Sequence, residues 1–123
     1  MSKDLEMLTA LNIDIGNAED TCDYEWLSCV LAPELAFRRA NNVVENRHDY
    51  LQRVKGDFEK LNSEKHEEVS KRTTDLIDPI EIFGDRAIVK CVVNYKDKNY
   101  HNIRLFVRRA GGWKLLGWAN EEY

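Results

Sequence analysis

Two arginines in predicted strand segments, Arg39 and Arg104, are the side chains in this sequence best suited to a specific chemistry. A guanidinium group binds a carboxylate through two parallel hydrogen bonds, which makes arginine the usual residue of anion sites. If both side chains line one cavity, they form a pocket for an anion. The alternative is that they point into solvent or pair with acids such as Asp14 and Glu34.

Histidine and tyrosine are the candidates for proton transfer. His101 falls in a predicted strand, and either His101 or Tyr95 could act as a general acid or base. The alternative for His101 is a structural or interface role. His48 is expected to face solvent, and His66 lies in a polar segment. No two histidines have the spacing of metal ligands, so we predict no metal site.

Large aromatic side chains could line an apolar pocket or simply fill the core; they are Trp26, Phe37, Trp113 and Trp118. Asp75 and Asp78 form a close carboxylate pair, for which a solvated loop is the expected setting. The sequence contains no GxGxxG, P-loop, GxSxG or HExxH motif. We therefore predict no cofactor and identify no complete catalytic set.

The three cysteines, Cys22, Cys29 and Cys91, are odd in number and include no CxxC pair. Neither a disulfide framework nor a thiolate zinc site is indicated, and we expect reduced thiols in a cytoplasmic protein. Cys22 lies near a predicted helix start, where a thiolate could be stabilised. The acidic neighbours Asp20 and Asp23 oppose that.

Length and charge restrict the classes of function. The chain of 123 residues is predicted to form a single domain, 1–123. With 18 basic and 22 acidic residues its formal charge is −4, which argues against general nucleic-acid binding. No apolar run approaches the roughly 20 residues that span a membrane, so we predict no membrane association.

The N-terminal part is predicted to be helical. Apolar residues recur at helical spacing over residues 3–15, and Gly16 is a natural stop. Asn17 can cap a second helix, which Pro33 would end. A short strand at 35–40 should follow.

A third helix is predicted after a turn at Asn41-Asn42. Asn46 can cap this helix, and Gly56 would end it. Residues 57–68 are mostly polar and are expected to form a loop or a frayed helical extension.

Four strands are predicted in the C-terminal half, at 69–83, 86–96, 99–109 and 113–120. Short separators join them, namely Gly84-Asp85, Asp97-Lys98 and Gly111-Gly112. Such turns predict hairpins, and four strands so joined form an antiparallel meander. Asp78-Pro79 interrupts the first strand, which should be bulged or at an edge.

These turns predict a register that pairs Tyr95 with Tyr100, Cys91 with Arg104, and Leu105 with Trp118. One face then carries Val89, Cys91, Val93, Tyr95, Asn102, Arg104, Phe106 and Leu115. The other carries Ile88, Val92, Asn94, His101, Ile103, Leu105, Val107, Leu116, Trp118 and Asn120. An antiparallel sheet usually exposes one face to water, but both faces here are largely apolar. We therefore predict a homodimer through the sheet, and which face is concave stays open.

Two segments, LAPELAFRRANNVVENRHDYLQ (31–52) and IRLFVRRAGGWKLLGWANE (103–121), resemble the nuclear transport factor 2-like superfamily, also called cystatin-like. Within it the chain is most similar to the SnoaL-like group of uncharacterised proteins. The resemblance implies an α+β fold in which a cone-shaped, curved antiparallel sheet packs with three N-terminal helices. It also implies a pocket between the helices and the concave face of the sheet.

The sequence departs from the catalytic patterns of two kinds of enzyme that have this fold. Ketosteroid isomerases of this fold carry a proton-abstracting carboxylate near the end of the first strand, where this sequence has Arg39. An arginine cannot serve as a general base near neutral pH. Epoxide hydrolases of this fold use paired aspartates with an arginine, but here Arg104 has no aspartate in the strand interiors and Asn120 stands near the place of a carboxylate.

We therefore predict a small-molecule-binding domain whose apolar, arginine-containing pocket takes a small apolar or acidic ligand. The predicted ligand-binding residues are Trp26, Phe37, Arg39, Tyr95, His101, Arg104, Trp118 and Asn120. One alternative is a lyase, isomerase or hydrolase that uses a pocket histidine or tyrosine. The other is a dimerisation or partner-binding module, because the fold alone decides little about function.

Overall fold

The computed structural model describes residues 2–63 and 71–122, and its first helix, α1, spans Lys3–Asp20. The helix is capped by Ser2, whose hydroxyl accepts a hydrogen bond from the backbone N–H of Leu5 at 3.1 Å. The predicted end at Gly16 and the predicted cap at Asn17 are wrong. Gly16 is buried inside the helix, where a Cβ would lie 3.1 Å from Thr74 Oγ1. This glycine therefore allows a close approach to a strand.

The second helix, α2, is shorter than predicted and spans Tyr24–Val30. Asp23 caps it, and its carboxylate accepts a hydrogen bond from the backbone N–H of Trp26 at 3.1 Å. Strand β1 follows at once over Leu31–Arg38. Pro33 therefore lies inside β1, exposed, where the pairing of β1 is irregular between Leu31 and Ala36. Proline has no N–H to donate to the ladder, and it is tolerated here because the pairing is irregular at this point.

The turn at Asn41-Asn42 and the Asn46 cap are confirmed. Asn42 has a φ of +69°, and the Asn46 side chain accepts a hydrogen bond from the backbone N–H of Asp49 at 2.8 Å. Strand β2 spans Val44–Asn46 and helix α3 spans Arg47–Ser63. The helix continues past Gly56, so its predicted end is wrong. Residues 57–63 are helical, and His66 lies outside the described residues.

The remaining strands are β3 (Thr73–Leu76), β4 (Glu81–Phe83), β5 (Arg86–Tyr95), β6 (Lys98–Arg109) and β7 (Gly112–Glu122). Within the described ranges the strands form one seven-stranded sheet of order β2-β1-β7-β6-β5-β3, with β4 also pairing with β5. The predicted strand 69–83 is two strands, because Asp78-Pro79 separates them. The sheet is mixed and not wholly antiparallel, since β1 runs parallel to β7.

The predicted register is wrong at both hairpins. Lys96 and Asp97 occupy the first turn with φ of +50° and +63°, so Tyr95 pairs with Lys98. Turn residues with positive φ match the twist of the strands they join. The actual turn lies one residue earlier than predicted, and each pairing shifts by two. Cys91 accordingly pairs with Asn102.

The second hairpin contains a β-bulge that changes the faces. Phe106 pairs with Leu115 but Leu105 pairs with Gly117, which leaves Leu116 as an extra residue in β7. Beyond the bulge, Trp118 pairs with Arg104. Trp118 and Asn120 therefore join the face of Arg104, whereas the sequence pattern placed them on the opposite face.

This inner face packs with the helices in one core. The core includes Leu8, Ile15, Leu27, Leu35, Phe37, Tyr50, Val89, Phe106, Leu115 and Trp118. In the part of the chain that the structure describes, no helix has both the length and the apolar character needed to cross a membrane.

Candidate functional site

A cavity of about 500 Å³ opens on the inner face of the sheet. Six of the predicted site residues line it: Phe37, Arg39, Tyr95, Arg104, Trp118 and Asn120. Trp26 does not; it is half-buried and packs against the core. His101 lies on the opposite face of the sheet, where it lines a second cavity of about 370 Å³. Of the two predicted acid–base candidates, Tyr95 therefore lines the inner cavity and His101 does not.

Arg104 is the innermost charged group of the cavity, with none of its surface exposed to solvent. Its Nη1 donates hydrogen bonds to the side chain of Asn12 at 2.6 Å and to the Asn12 carbonyl at 2.9 Å. Its Nε is buried and has no hydrogen-bond partner in residues 2–63 and 71–122. No carboxylate of those residues forms an ion pair with it. Arg104 is thus a buried cation without a counter-ion among the residues that the structure describes.

Trp118 holds Arg104 in place. The guanidinium carbon lies 4.9 Å from the centre of the Trp118 ring, and Phe37 is stacked on Trp118 with ring centres 4.1 Å apart. The indole N–H donates to Asn102 Oδ1 at 2.6 Å. Arg104 and Phe37 both pack on its ring, so Trp118 positions the arginine and also lines the cavity.

Arg72 lines the same cavity but is fully paired. Its Nη1 lies 3.0 Å from Glu19 Oε1, and its Nε lies 3.1 Å from Asp20 Oδ1. Its backbone N–H also donates to Asp20 Oδ2 at 3.0 Å, and its guanidinium lies 4.4 Å from the centre of the Tyr95 ring. Burial lowers the pKa of Arg72, but the two carboxylates outweigh this effect and the pKa lies above its ordinary value. These contacts tie the end of α1 to the residues that precede β3.

Tyr50 connects the ion pairs of Arg72 to the core, and we call Arg72, Glu19, Asp20 and Tyr50 the Arg72 cluster. Its hydroxyl donates to Glu19 Oε2 at 3.0 Å, and its side chain is fully buried. Burial, and next the negative charge of Glu19, raise the pKa of the Tyr50 hydroxyl well above its usual range. The tyrosine therefore stays neutral and serves as a hydrogen-bond donor.

Two arginines share one carboxylate at the more exposed side of the cavity. Arg53 holds both oxygens of Glu45, with Nε–Oε2 and Nη2–Oε1 distances of 2.9 and 3.0 Å. Arg39 reaches the same carboxylate only at 3.9 Å, and about a third (34%) of its side chain is exposed. The charge of Arg39 is therefore only weakly compensated.

The cavity lining is more polar than the sequence predicted. Among the described residues it contains four arginines, Arg39, Arg53, Arg72 and Arg104, and two carboxylates, Glu19 and Glu122. Asn120 also lines it, and the buried Oδ1 of this side chain has no hydrogen-bond partner among the described residues. The arrangement can attract an anion and offers further polar contacts to it.

Nucleophilic and metal chemistry find less support here. Burial, and next the charge of Asp57, raise the pKa of the Cys22 thiol, in line with the expectation that this cysteine is not activated. Across the residues that the structure describes, no three His, Cys, Asp or Glu side chains are grouped so that they could hold a metal ion. His48 is exposed, as predicted.

Sequence reasoning missed several members of the site, namely Asn12, Glu19, Arg53, Arg72 and Asn102. A signal existed for Asn12, because it lies four residues after Leu8 and three before Ile15, on the apolar stripe of α1. A polar residue in such a stripe needs a partner, and Arg104 is that partner. Glu19 and Arg72 meet only through the tertiary fold, so their spacing in sequence carries no signal.

No protein-family model matches this chain, and no curated protein matches it. Solved structures do. An NTF2-like protein from Cytophaga hutchinsonii is 16% identical, covers 100% of both chains and has a TM-score of 0.76. A proposed dehydratase of the NTF2-like family from Streptomyces avermitilis is 18% identical, covers 98% of this chain and 96% of its own, and has a TM-score of 0.76. The CaMKII hub of S. rosetta is 22% identical, with coverage of 96% and 95% and a TM-score of 0.69. The chain therefore has the α+β fold of nuclear transport factor 2-like, or cystatin-like, proteins.

Proposed function

We propose that the inner cavity binds a small acidic molecule and that this chain acts as a binding domain for it. The observation that carries the proposal is the buried Arg104, which has no carboxylate partner among the described residues. An uncompensated charge in a protein interior costs several kcal/mol, of order 3–5 kcal/mol in measured cases. An arginine cannot escape that cost by losing its proton. A bound carboxylate would supply the missing negative charge.

The cavity suits this ligand in size and in surroundings. Its volume of about 500 Å³ lies within the range of small-molecule sites. Nε of Arg104 has no hydrogen-bond partner among the described residues, while Nη1 is fixed by Asn12 and the guanidinium packs on the ring of Trp118. A guanidinium held in this way loses little freedom when it binds. The ligand's acidic group is expected on Arg104.

A thermal-shift screen of small carboxylates, with phenols and ketones as neutral comparisons, tests the proposal. A carboxylate at a hundred times its dissociation constant should stabilise the protein by about 2.7 kcal/mol. For a domain of this size, that raises Tm by several degrees. Arg104→Met should abolish the shift, whereas Arg108→Met, on the exposed end of the same strand, should keep it. A screen without any carboxylate hit would refute the proposal.

A second candidate function, self-association through the sheet, is favoured by the outer face. Ile103 and Leu105 point outward from β6 and are 48% and 42% exposed. Ile103 is flanked by Ala119 of β7 and by the aliphatic stem of Lys90 of β5. Exposed apolar side chains in adjacent strands are typical of a protein interface. We propose that a second copy of this chain covers them.

Light scattering on a size-exclusion column tests the dimer. The wild type should elute with twice the chain mass of 14.4 kDa at micromolar concentration. Ile103→Lys should give the monomer mass, because it buries a charge in the proposed interface. Met7→Lys, at an apolar residue that is 45% exposed on α1, should stay dimeric. A monomeric wild type would rule the dimer out.

We also propose that the protein is cytoplasmic. Its three cysteines are free thiols, and Cys91 is buried. Reduced thiols are typical of a reducing compartment. Fractionation of cells that produce the protein would test this location, and recovery outside the cytoplasmic fraction would contradict it.

A further inference from the structure

We infer that the ligand carries two negative charges, one at each end of a short chain, so that the cavity takes a dicarboxylate. This inference rests on the proposed function, because it names the class of acid that the same cavity binds. It follows from a difference among the four lining arginines: two are neutralised by carboxylates and two are not.

Two of the four arginines are already satisfied. Arg72 faces Glu19 and Asp20 at 3.0 and 3.1 Å. Arg53 takes both oxygens of Glu45 at 2.9 and 3.0 Å. Neither guanidinium has charge left over for a ligand.

The acidic side chains that line the cavity among the described residues, Glu19 and Glu122, are equally committed. Glu19 forms an ion pair with Arg72 and accepts a hydrogen bond from the hydroxyl of Tyr50. Glu122 lies 3.1 Å from Lys98. Neither carboxylate forms an ion pair with Arg104 or Arg39. Two positive charges therefore face the cavity with little compensation.

These two charges lie at different places in the cavity. Arg104 is fully buried, whereas Arg39 is about one-third exposed. In the sheet, Arg104 pairs with Trp118 and Trp118 pairs with Phe37, while Arg39 directly follows the end of β1, two residues after Phe37. Standard strand spacing then separates the two arginine Cα atoms by roughly 12 Å. The side chains of both line one cavity, so a short ligand with an acid at each end can reach both.

A single charge would leave one of the two arginines unsatisfied. A monocarboxylate on Arg104 neutralises the buried cation but leaves Arg39 with only its 3.9 Å contact to a carboxylate that Arg53 already holds. A second carboxylate gains the attraction of Arg39. Because Arg39 is partly exposed, this gain is modest, and we expect about a tenfold increase in affinity.

Isothermal titration calorimetry at fixed ionic strength tests the inference on the full chain. Succinate, glutarate and adipate are compared with butyrate, pentanoate and hexanoate, the monocarboxylates of matched length. At least one diacid should bind about ten times more tightly than its matched monoacid. Arg39→Gln should remove this advantage while leaving monoacid affinity within about threefold. Arg38→Gln, at the exposed neighbouring arginine, should change neither.

The outcomes separate the two claims. Equal binding of matched mono- and diacids would overturn the dicarboxylate inference and leave the anion site intact. A diacid advantage that survives Arg39→Gln would also overturn it, because the second charge would then lie elsewhere. No binding of either class would refute the proposed function itself. Loss of all binding in Arg104→Met, together with loss of only the diacid advantage in Arg39→Gln, would support both claims.

Discussion

Arg72 and Arg104 line the same cavity but have opposite surroundings. Arg72 is held by Glu19 and Asp20 and packs on the ring of Tyr95. Arg104 is more deeply buried, yet within residues 2–63 and 71–122 it contacts the neutral Asn12 and the ring of Trp118 and no carboxylate. In this part of the chain one guanidinium is neutralised, and the other keeps its charge in the interior.

This difference separates a structural role from a binding role. The ion pairs of Arg72 join α1 to the chain before β3, and removing this arginine would leave two acids without their partner. Arg104 joins α1 to β6 by hydrogen bonds alone and keeps its charge available. A guanidinium fixed in position and lacking a counter-ion is what an anion site requires.

The largest expected effect comes from Arg72→Met. It removes the counter-ion of Glu19 and Asp20, and we expect the free energy of unfolding to fall by about 2–3 kcal/mol. Urea unfolding measures this change. Arg104→Met should change stability by less than about 1 kcal/mol, because removal of an uncompensated cation offsets the lost hydrogen bonds to Asn12.

The roles given to Arg72 and Arg104 are wrong if these stability effects are reversed. A large loss in Arg104→Met with little change in Arg72→Met would make Arg104 the structural residue. Calorimetry with butyrate on the same two proteins adds a second criterion. Binding should persist in Arg72→Met at a temperature where the variant is folded, and it should be absent in Arg104→Met.

The next effect comes from giving Arg104 a counter-ion. Asn12→Asp places a carboxylate where Asn12 Oδ1 now lies, 2.6 Å from Arg104 Nη1. We expect stability to rise by about 1–2 kcal/mol and carboxylate affinity to fall at least about tenfold. Asn17→Asp, exposed on the same helix, is the control and should change neither property. Undiminished binding in Asn12→Asp would contradict the role given to Arg104.

The gain from Asn12→Asp should depend on pH in a defined direction. The arginine favours the ionised form of the new carboxylate, so its pKa should be lower in the folded protein than in the unfolded chain. The added stability is then present above the unfolded value, near pH 4, and is lost as pH falls through the folded value. Thermal unfolding at pH 7 and pH 3 would check this sign.

The sequence was informative about elements and much less so about their pairing. The Asn46 cap, the Asn41-Asn42 turn and the interruption at Asp78-Pro79 each follow from local backbone preferences, and the structure has all three. The prediction that Gly16 and Gly56 end helices is wrong, because a glycine in a helix interior has the same local signal as one at its end. Only packing distinguishes the two cases: Gly16 lies against Thr74.

The candidate site shows the same limit. Arg39 and Arg104 could be selected by residue type, and both line the cavity. Trp118 was assigned to the opposite face, because the bulge at Leu116 depends on pairing between two strands and leaves no mark in the alternation of β7. The counter-ions that separate Arg72 from Arg104 come from α1, distant in sequence. A single sequence therefore indicates the arginines but not which of them is unpaired.

Tyr50 gives a smaller effect within the Arg72 cluster. Tyr50→Phe removes the hydrogen bond to Glu19, and we expect a loss of about 1 kcal/mol at neutral pH. Burial raises the pKa of Tyr50 in the fold, so its contribution is complete below the unfolded value of about 10 and is lost as pH rises above it. The difference between the two proteins should therefore shrink from pH 8 to pH 11. Urea midpoints at both pH values measure it, and a constant difference would show that Tyr50 does not titrate with unfolding.

The smallest effects come from the two helical glycines, which differ in their closeness to the Arg72 cluster. A Cβ at Gly56 would meet nothing within 4 Å, so Gly56→Ala should stabilise α3 by about 0.5–1 kcal/mol. A Cβ at Gly16 would lie 3.1 Å from Thr74 Oγ1 and 3.6 Å from Arg72 Cγ. Gly16→Ala therefore crowds the side chains of Thr74 and Arg72, and we expect this crowding to outweigh the helix gain, with a net loss of about 1 kcal/mol. Urea unfolding of both variants measures the two effects. Equal stabilisation would mean that Arg72 does not hold α1 closely against β3, and it would contradict the structural role given to Arg72.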